Sequence, residues 1–98
     1  MTIKKVFEEL ATATNPVAKI LHKGDNNKVL IIGFKAGMLL KEHTANLPSK
    51  LTVLAGKVNY KQDEKNVVLS LYDEIEIPVN VIHAVEALED SLCLLTQG

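Results

Sequence analysis

Residues Gly37 to Gly56 read GMLLKEHTANLPSKLTVLAG, and this stretch decides the fold. Ala36 and Gly37 make a turn, Met38 to His43 reads as a strand, and Thr44 to Pro48 is a loop. A longer strand then runs from Lys50 to Tyr60 and is interrupted at Gly56, where the missing side chain permits a tight bend. Strand alternation puts Leu39, Lys41 and His43 on one face. The connections are too short to hold a helix, so consecutive strands must be joined directly.

The same period continues toward the C-terminus. Gln62 to Lys65 is the tip of a polar hairpin, and Asn66 to Leu71 alternates with Val67, Leu69 and Leu71 on one side. Tyr72 and Asp73 turn the chain into Glu74 to Ile77, a half-buried strand with its glutamates in water. Pro78 ends that strand and Asn80 turns the chain again. Ile82 to Leu88 carries His83, Val85 and Ala87 on one face, Glu89 and Asp90 form a hairpin turn, and Ser91 to Thr96 is the last strand.

Toward the N-terminus, Lys28 to Lys35 and Ala18 to Lys23 form a hairpin around Gly24, Asp25, Asn26 and Asn27. The run VLIIGF is apolar throughout, which requires cover on both faces, and Gly33 within it marks a bend or a close approach by another side chain. Before Pro16 the period is helical. Ile3, Val6, Phe7 and Leu10 stand at i, i+3, i+4 and i+7, an amphipathic helix of two or three turns that ends ahead of Pro16. The expected organisation is a helical segment over 1–15 packed on a barrel over 16–98.

These readings give about eight strands with short turns and no crossover helices, which excludes parallel α/β architectures and leaves sandwich and barrel open. Ninety-eight residues make one domain. Hydrophobic residues are 47% of the chain with no Trp, two Phe and two Tyr, so the core is aliphatic, and the surplus suggests a homodimer. Eleven basic and twelve acidic residues, scattered, give no attraction to nucleic acid or anionic membrane. Cys93 lies alone in an apolar run and reads as a small buried hydrophobe. No apolar run has signal-peptide or membrane-spanning length, which gives a cytoplasmic expectation. No nucleophilic triad, glycine-rich phosphate loop or zinc spacing is present.

Two stretches resemble the two signatures of the cupins. The first signature is a Gly, five residues, a His, one residue, a second His, a short spacer, a Glu, six residues and a Gly. Gly37, His43 and Gly56 fall in place, whereas Ala45 stands at the second His and Ser49 at the Glu. The second signature is a Gly, usually followed by Asp, ahead of a Pro, then a Gly and a His. Asp73, Pro78 and His83 fit, with Tyr72 and Asn80 at the two Gly positions. The resemblance implies an all-β double-stranded β-helix, a jelly-roll barrel with a short N-terminal helix.

In that family the His and Glu positions bind a divalent metal. Carried over, the resemblance leaves His43 and His83 as metal ligands, for Zn, Fe, Ni or Mn, short of the three protein ligands usual in catalytic sites. His22 is the remaining histidine, and Glu42 and Glu86 point to the other side of their strands. The metal-free use of the pair is a pocket for a small polar molecule, with Lys41 on the face of His43 and Ser49 supplying a hydroxyl. Three functions follow from this: a small-molecule binding cupin with no firmly held cofactor, a metal-dependent enzyme of dioxygenase or isomerase type, and a non-catalytic dimerising module.

Overall fold

A computed structural model describes residues 1–98, all of the chain. One helix, α1 (Thr2–Leu10), precedes nine strands: β1 (Val17–Lys23), β2 (Lys28–Phe34), β3 (Leu39–His43), β4 (Ser49–Ala55), β5 (Val58–Gln62), β6 (Lys65–Leu69), β7 (Glu74–Ile77), β8 (His83–Ala87) and β9 (Ser91–Gln97). One sheet has the order β1-β2-β9-β4-β7 and the other β3-β8-β5-β6, with every pairing antiparallel. After the β1–β2 hairpin the chain passes repeatedly from one sheet to the other, as a double-stranded β-helix requires.

The expected strand Lys50 to Tyr60 is two strands, which raises the count from eight to nine. The break is at Gly56, whose φ is 82, and a Cβ there would stand 2.2 Å from the Asp90 carbonyl oxygen. The chain leaves one sheet at this bend and enters the other. Ser91 holds the bend by accepting the Lys57 N–H at 3.0 Å and donating to the Glu89 carbonyl at 2.7 Å.

Between the sheets lies an aliphatic core: Ile32 and Phe34 of β2, Leu51 and Val53 of β4, Val58 and Tyr60 of β5, Leu69, Ile77, Val85, Ala87 and Cys93. Each belongs to the inward set of its strand, so the period-two pattern accounts for the core directly. The apolar run of β2 needs its second cover on the outer face, and α1 supplies it. Val6 packs with Ile31 and Leu92, and Val6 and Leu10 are buried while Phe7 remains half exposed. Gly33 is where the helix comes closest, since a Cβ there would lie 2.6 Å from Val6 Cγ1. Lys19 and Glu9 join β1 to α1 at 2.7 Å, and the Lys35 ammonium donates to the Ala11 carbonyl at 3.0 Å.

Both signature positions that lack glycine hold a left-handed backbone nonetheless: φ is 68 at Tyr72 and 61 at Asn80. Tyr72 is the third residue of a turn closed by the Asp73 N–H donating to the Ser70 carbonyl at 3.0 Å, the position of a type II turn that favours glycine. The Asp73 carboxylate accepts the Ser70 N–H at 2.8 Å, and the Tyr72 N–H donates to the Val53 carbonyl at 2.8 Å. These bonds hold the turn in a conformation its third residue disfavours.

Candidate functional site

β3 and β8 end on a pair of histidines. His43 and His83 are cross-strand partners with ring centroids 4.2 Å apart and planes tilted by 57°. Their meeting depends on a bulge. Leu40 pairs with Val85 and His43 with His83, so β3 uses three residue steps where β8 uses two. The extra residue reverses the alternation, so His43 shares the inward face of Leu40 rather than the outward face of Leu39.

This corrects the expectation for Lys41, because strand period no longer places it with His43. Its backbone is what serves the site, its carbonyl accepting from His43 Nδ1 at 2.7 Å. Its exposed side chain lines, with His43, a shallow hollow of about 450 Å³ outside the barrel. Glu42 borders that hollow as well as one of about 240 Å³ that it shares with His83, Lys61, Asp63, Ile82 and Ala84. Glu86 does lie on the outer face as expected, opposite Leu39 and Asn59 and 3.3 Å from Lys61.

His83 is 4% exposed, and its Nδ1 donates to the Val81 carbonyl at 2.9 Å. Desolvation lowers its pKa, the Val81 hydrogen bond opposes that, and neighbouring His43 adds to the lowering. Since a carbonyl only accepts, Nδ1 carries the proton in both residues, and in the neutral ring Nε2 is a bare lone pair. Neither Nε2 has a protein partner. The only fully buried unpaired side-chain polar atom in the chain is Asn59 Oδ1, so His83 Nε2 reaches the accessible surface.

Two further residues complete the cluster. Tyr60 stacks on His83 at 5.9 Å and 25°, and its hydroxyl donates to Gln62 Oε1 at 2.8 Å. Burial, with a contribution from Asp63, raises the Tyr60 pKa, so the phenol stays protonated. Gln62 is the cross-strand partner of His83 and belongs to β5, not to the hairpin tip that sequence assigned it to. Alternation continued from Val58 through Tyr60 to Gln62 was the signal that placed both on the inner face.

The structure does not bring Ser49 to this cluster. It lies 7% exposed on the inner face of the other sheet, where its hydroxyl donates to the Leu47 carbonyl at 3.0 Å and accepts from Gln97 Nε2 at 3.2 Å. Its hollow, about 440 Å³ between Pro48, Pro78 and Gly98, includes neither histidine. Ala45, at the second His position, gives its carbonyl to the Asn80 N–H at 2.9 Å and so ties together the loops before β4 and β8. His22 pairs with Val29 on the outer face of the first sheet, away from the pair.

No protein-family model matches the sequence, nor does any curated protein. Solved structures do match. An RmlC-like cupin from Desulfovibrio desulfuricans superposes with a TM-score of 0.80 at 25% identity, over 86% of this chain and 82% of its own. The chain is a small cupin-superfamily domain. A cupin 2 conserved barrel domain protein from Leptotrichia buccalis is 30% identical with a TM-score of 0.80, over 88% of this chain and 42% of that one. This cupin thus spans less than half of that relative. A cupin-like protein from Thermotoga maritima is 25% identical with a TM-score of 0.78, over 87% of this chain and 69% of its own.

Metal ions are common in cupins, and the donor set here can be compared with that habit. Two imidazoles with free Nε2 atoms are suitable ligands as far as they go. No third His, Cys, Asp or Glu is grouped with them, and the signature positions that would supply one are Ala45 and Ser49. The residues present do not fit a catalytic metal centre of three protein ligands.

Proposed function

We propose that this cupin binds a small polar molecule at the mouth of its barrel, with the His43–His83 pair as the recognition centre and without a resident metal. The observation that carries this reading is the tethering of both Nδ1 atoms to backbone carbonyls in two rings whose centroids are 4.2 Å apart, which leaves Nε2 as the free nitrogen of each.

The test is a thermal-shift screen of small polar compounds, followed by imidazole ¹⁵N spectra of any binder. A ligand at about 100 times its Kd adds about 2.7 kcal/mol, which for a domain of this size is on the order of 10 °C in Tm. That binder is expected to move both histidine signals and to lose its effect in His43→Ala, whose exposed side chain the fold does not need. Binders that leave both imidazoles unmoved would overturn the reading. So would stoichiometric metal retained by the purified chain and lost in His43→Ala.

A further inference from the structure

The two sheets leave four strand edges, β1 and β7 on one and β3 and β6 on the other. An edge strand presents unpaired N–H and C=O groups, and a bulge or a charge in mid-strand ordinarily keeps it from pairing with another chain. Three of the four edges carry such a device. β1 is exposed at Ile20 and Leu21, but its register shifts between Ile20 and His22 and it bears Lys19, His22 and Lys23. β3 shifts register between Leu40 and His43 and bears Lys41 and Glu42. β7 alternates Glu74 and Glu76 with its isoleucines. β6 has neither device. Its five residues, KNVVL, pair with β5 without irregularity, and its one charge, Lys65, is at the end. Val67 is the cross-strand partner of Tyr60 and shares the inward face of Leu69, yet those two are buried while Val67 is 39% exposed. The core side of the sheet is thus left uncovered at this edge. Val68, on the outer face, is 53% exposed, and Leu71 and Tyr72 just beyond the strand are exposed as well. Tyr72 keeps that exposed ring at a left-handed position where glycine would be free of strain.

We infer that β6 is an interface with a second copy of this chain, the two β6 strands pairing antiparallel about a two-fold axis at Val67. Charge selects the occupant. In such a pairing each strand meets its own sequence reversed. On β7, centred at Ile75, that would set Glu74 against the partner's Glu76, like charges directly opposite. On β6 it sets Val67 against the partner's Val67 on the core side, Asn66 against the partner's Val68 on the outer face, and Lys65 beside the partner's Leu69, over which its stem can lie. The two lysines stand at opposite ends of the pair. The result is one continuous sheet of two copies of β3-β8-β5-β6, in which each uncovered Val67 is covered by the other. One short strand and its turn make a contact at the small end of specific interfaces, so the dimer is expected to dissociate on dilution. His43 and His83 lie on β3 and β8, on the other side of β5, so the inference stands apart from the proposed function.

Sedimentation of the whole chain from about 1 µM to about 1 mM reads the association. The mass is expected to rise from 10.8 kDa toward twice that value. Val68→Lys, at an exposed position, puts a charge in mid-strand and should raise the dissociation constant by about tenfold or more with the circular dichroism spectrum unchanged. Val68→Thr, uncharged and still β-branched, should stay within about threefold of the parent chain. Hydrogen exchange locates the contact, because the β6 N–H groups that point away from β5 should exchange rapidly in dilute protein and slowly in concentrated protein. A single-chain mass at every concentration, an association that Val68→Lys leaves unchanged, or β6 amides that stay unprotected in the dimer overturns the inference. So does a chain that stays monomeric while an added extended apolar peptide protects β6, which would make another protein the occupant of this edge.

Discussion

Replacing Tyr72 with alanine and with glycine separates backbone strain from everything else that residue does. Tyr72 holds φ 68 at the third position of the Ser70–Asp73 turn, and its ring is 74% exposed. Both variants delete the ring, so whatever packing it contributes cancels between them. Alanine keeps the Cβ and with it about 1–2 kcal/mol of left-handed strain. Glycine removes that strain and adds about 0.4–1 kcal/mol of chain entropy in the unfolded state. The glycine variant should therefore exceed the alanine variant by about 0.8 kcal/mol at the middle of these ranges, or about 3–6 °C in Tm for a domain of this length.

The sign is the strong part of this expectation, because at an ordinary turn or strand position glycine is the less stable of the two. Thermal and urea unfolding followed by far-ultraviolet circular dichroism would measure it directly. An alanine variant as stable as the glycine variant would refute the reasoning, and would mean that the turn relaxes out of the left-handed region when the ring is removed. Asn80, with φ 61, supplies the control. Asparagine tolerates this region better than other L residues, so Asn80→Gly should be near neutral and Asn80→Ala should lose about 1 kcal/mol.

Three further outcomes are expected. His83 has a folded pKa below its unfolded value of about 6.5, so its contribution to stability is complete above pH 6.5 and declines as pH falls through that value toward the lower folded one. Tm measured from pH 7.5 to 5 should drop less in His83→Gln than in the parent chain, and an equal drop would assign the effect to other groups. Gly33→Ala should cost about 1–3 kcal/mol by pushing a Cβ to 2.6 Å from Val6 Cγ1, and Val6→Ala in the same chain should restore part of it. If the double variant is no better than the sum of the two singles, the contact is not the cause. Cys93, fully buried with its thiol pushed up to about 12, should resist a disulfide reagent in the native chain and react on unfolding, and rapid native labelling would contradict its placement in the core.

What the sequence made legible follows from which features have a period. Most of the strands, the helix positions Val6 and Leu10, and the shared face of His83, Val85 and Ala87 repeat at 2.0 or 3.6 residues, and the structure places them as the pattern does. The close approach at Gly33 was legible for a related reason, since an apolar run needing two covers has to yield somewhere to admit the second. The bulge between Leu40 and His43 has no period. One unpaired residue turns His43 to the face of Leu40, opposite His83, while Lys41 and Glu42 still line a hollow with His43, and no residue in KEH announces the extra step.

The signature positions divide on the same line between backbone and side chain. A left-handed turn is enforced by bonds from its neighbours, so Tyr72 and Asn80 can hold the conformation glycine would hold, at the expense of strain that Ser70, Val53, Asp73 and Ala45 offset through hydrogen bonds. A metal ligand has no such substitute, because coordination needs the donor atom itself. Ala45 has therefore become a loop tie through its carbonyl, and Ser49 an internal link between Leu47 and Gln97. The barrel is complete without its glycines, while the site is reduced to two imidazoles. What surrounds His83 is Tyr60, stacked on its ring and bonded to Gln62, and a hollow bordered by Glu42, Lys61 and Asp63.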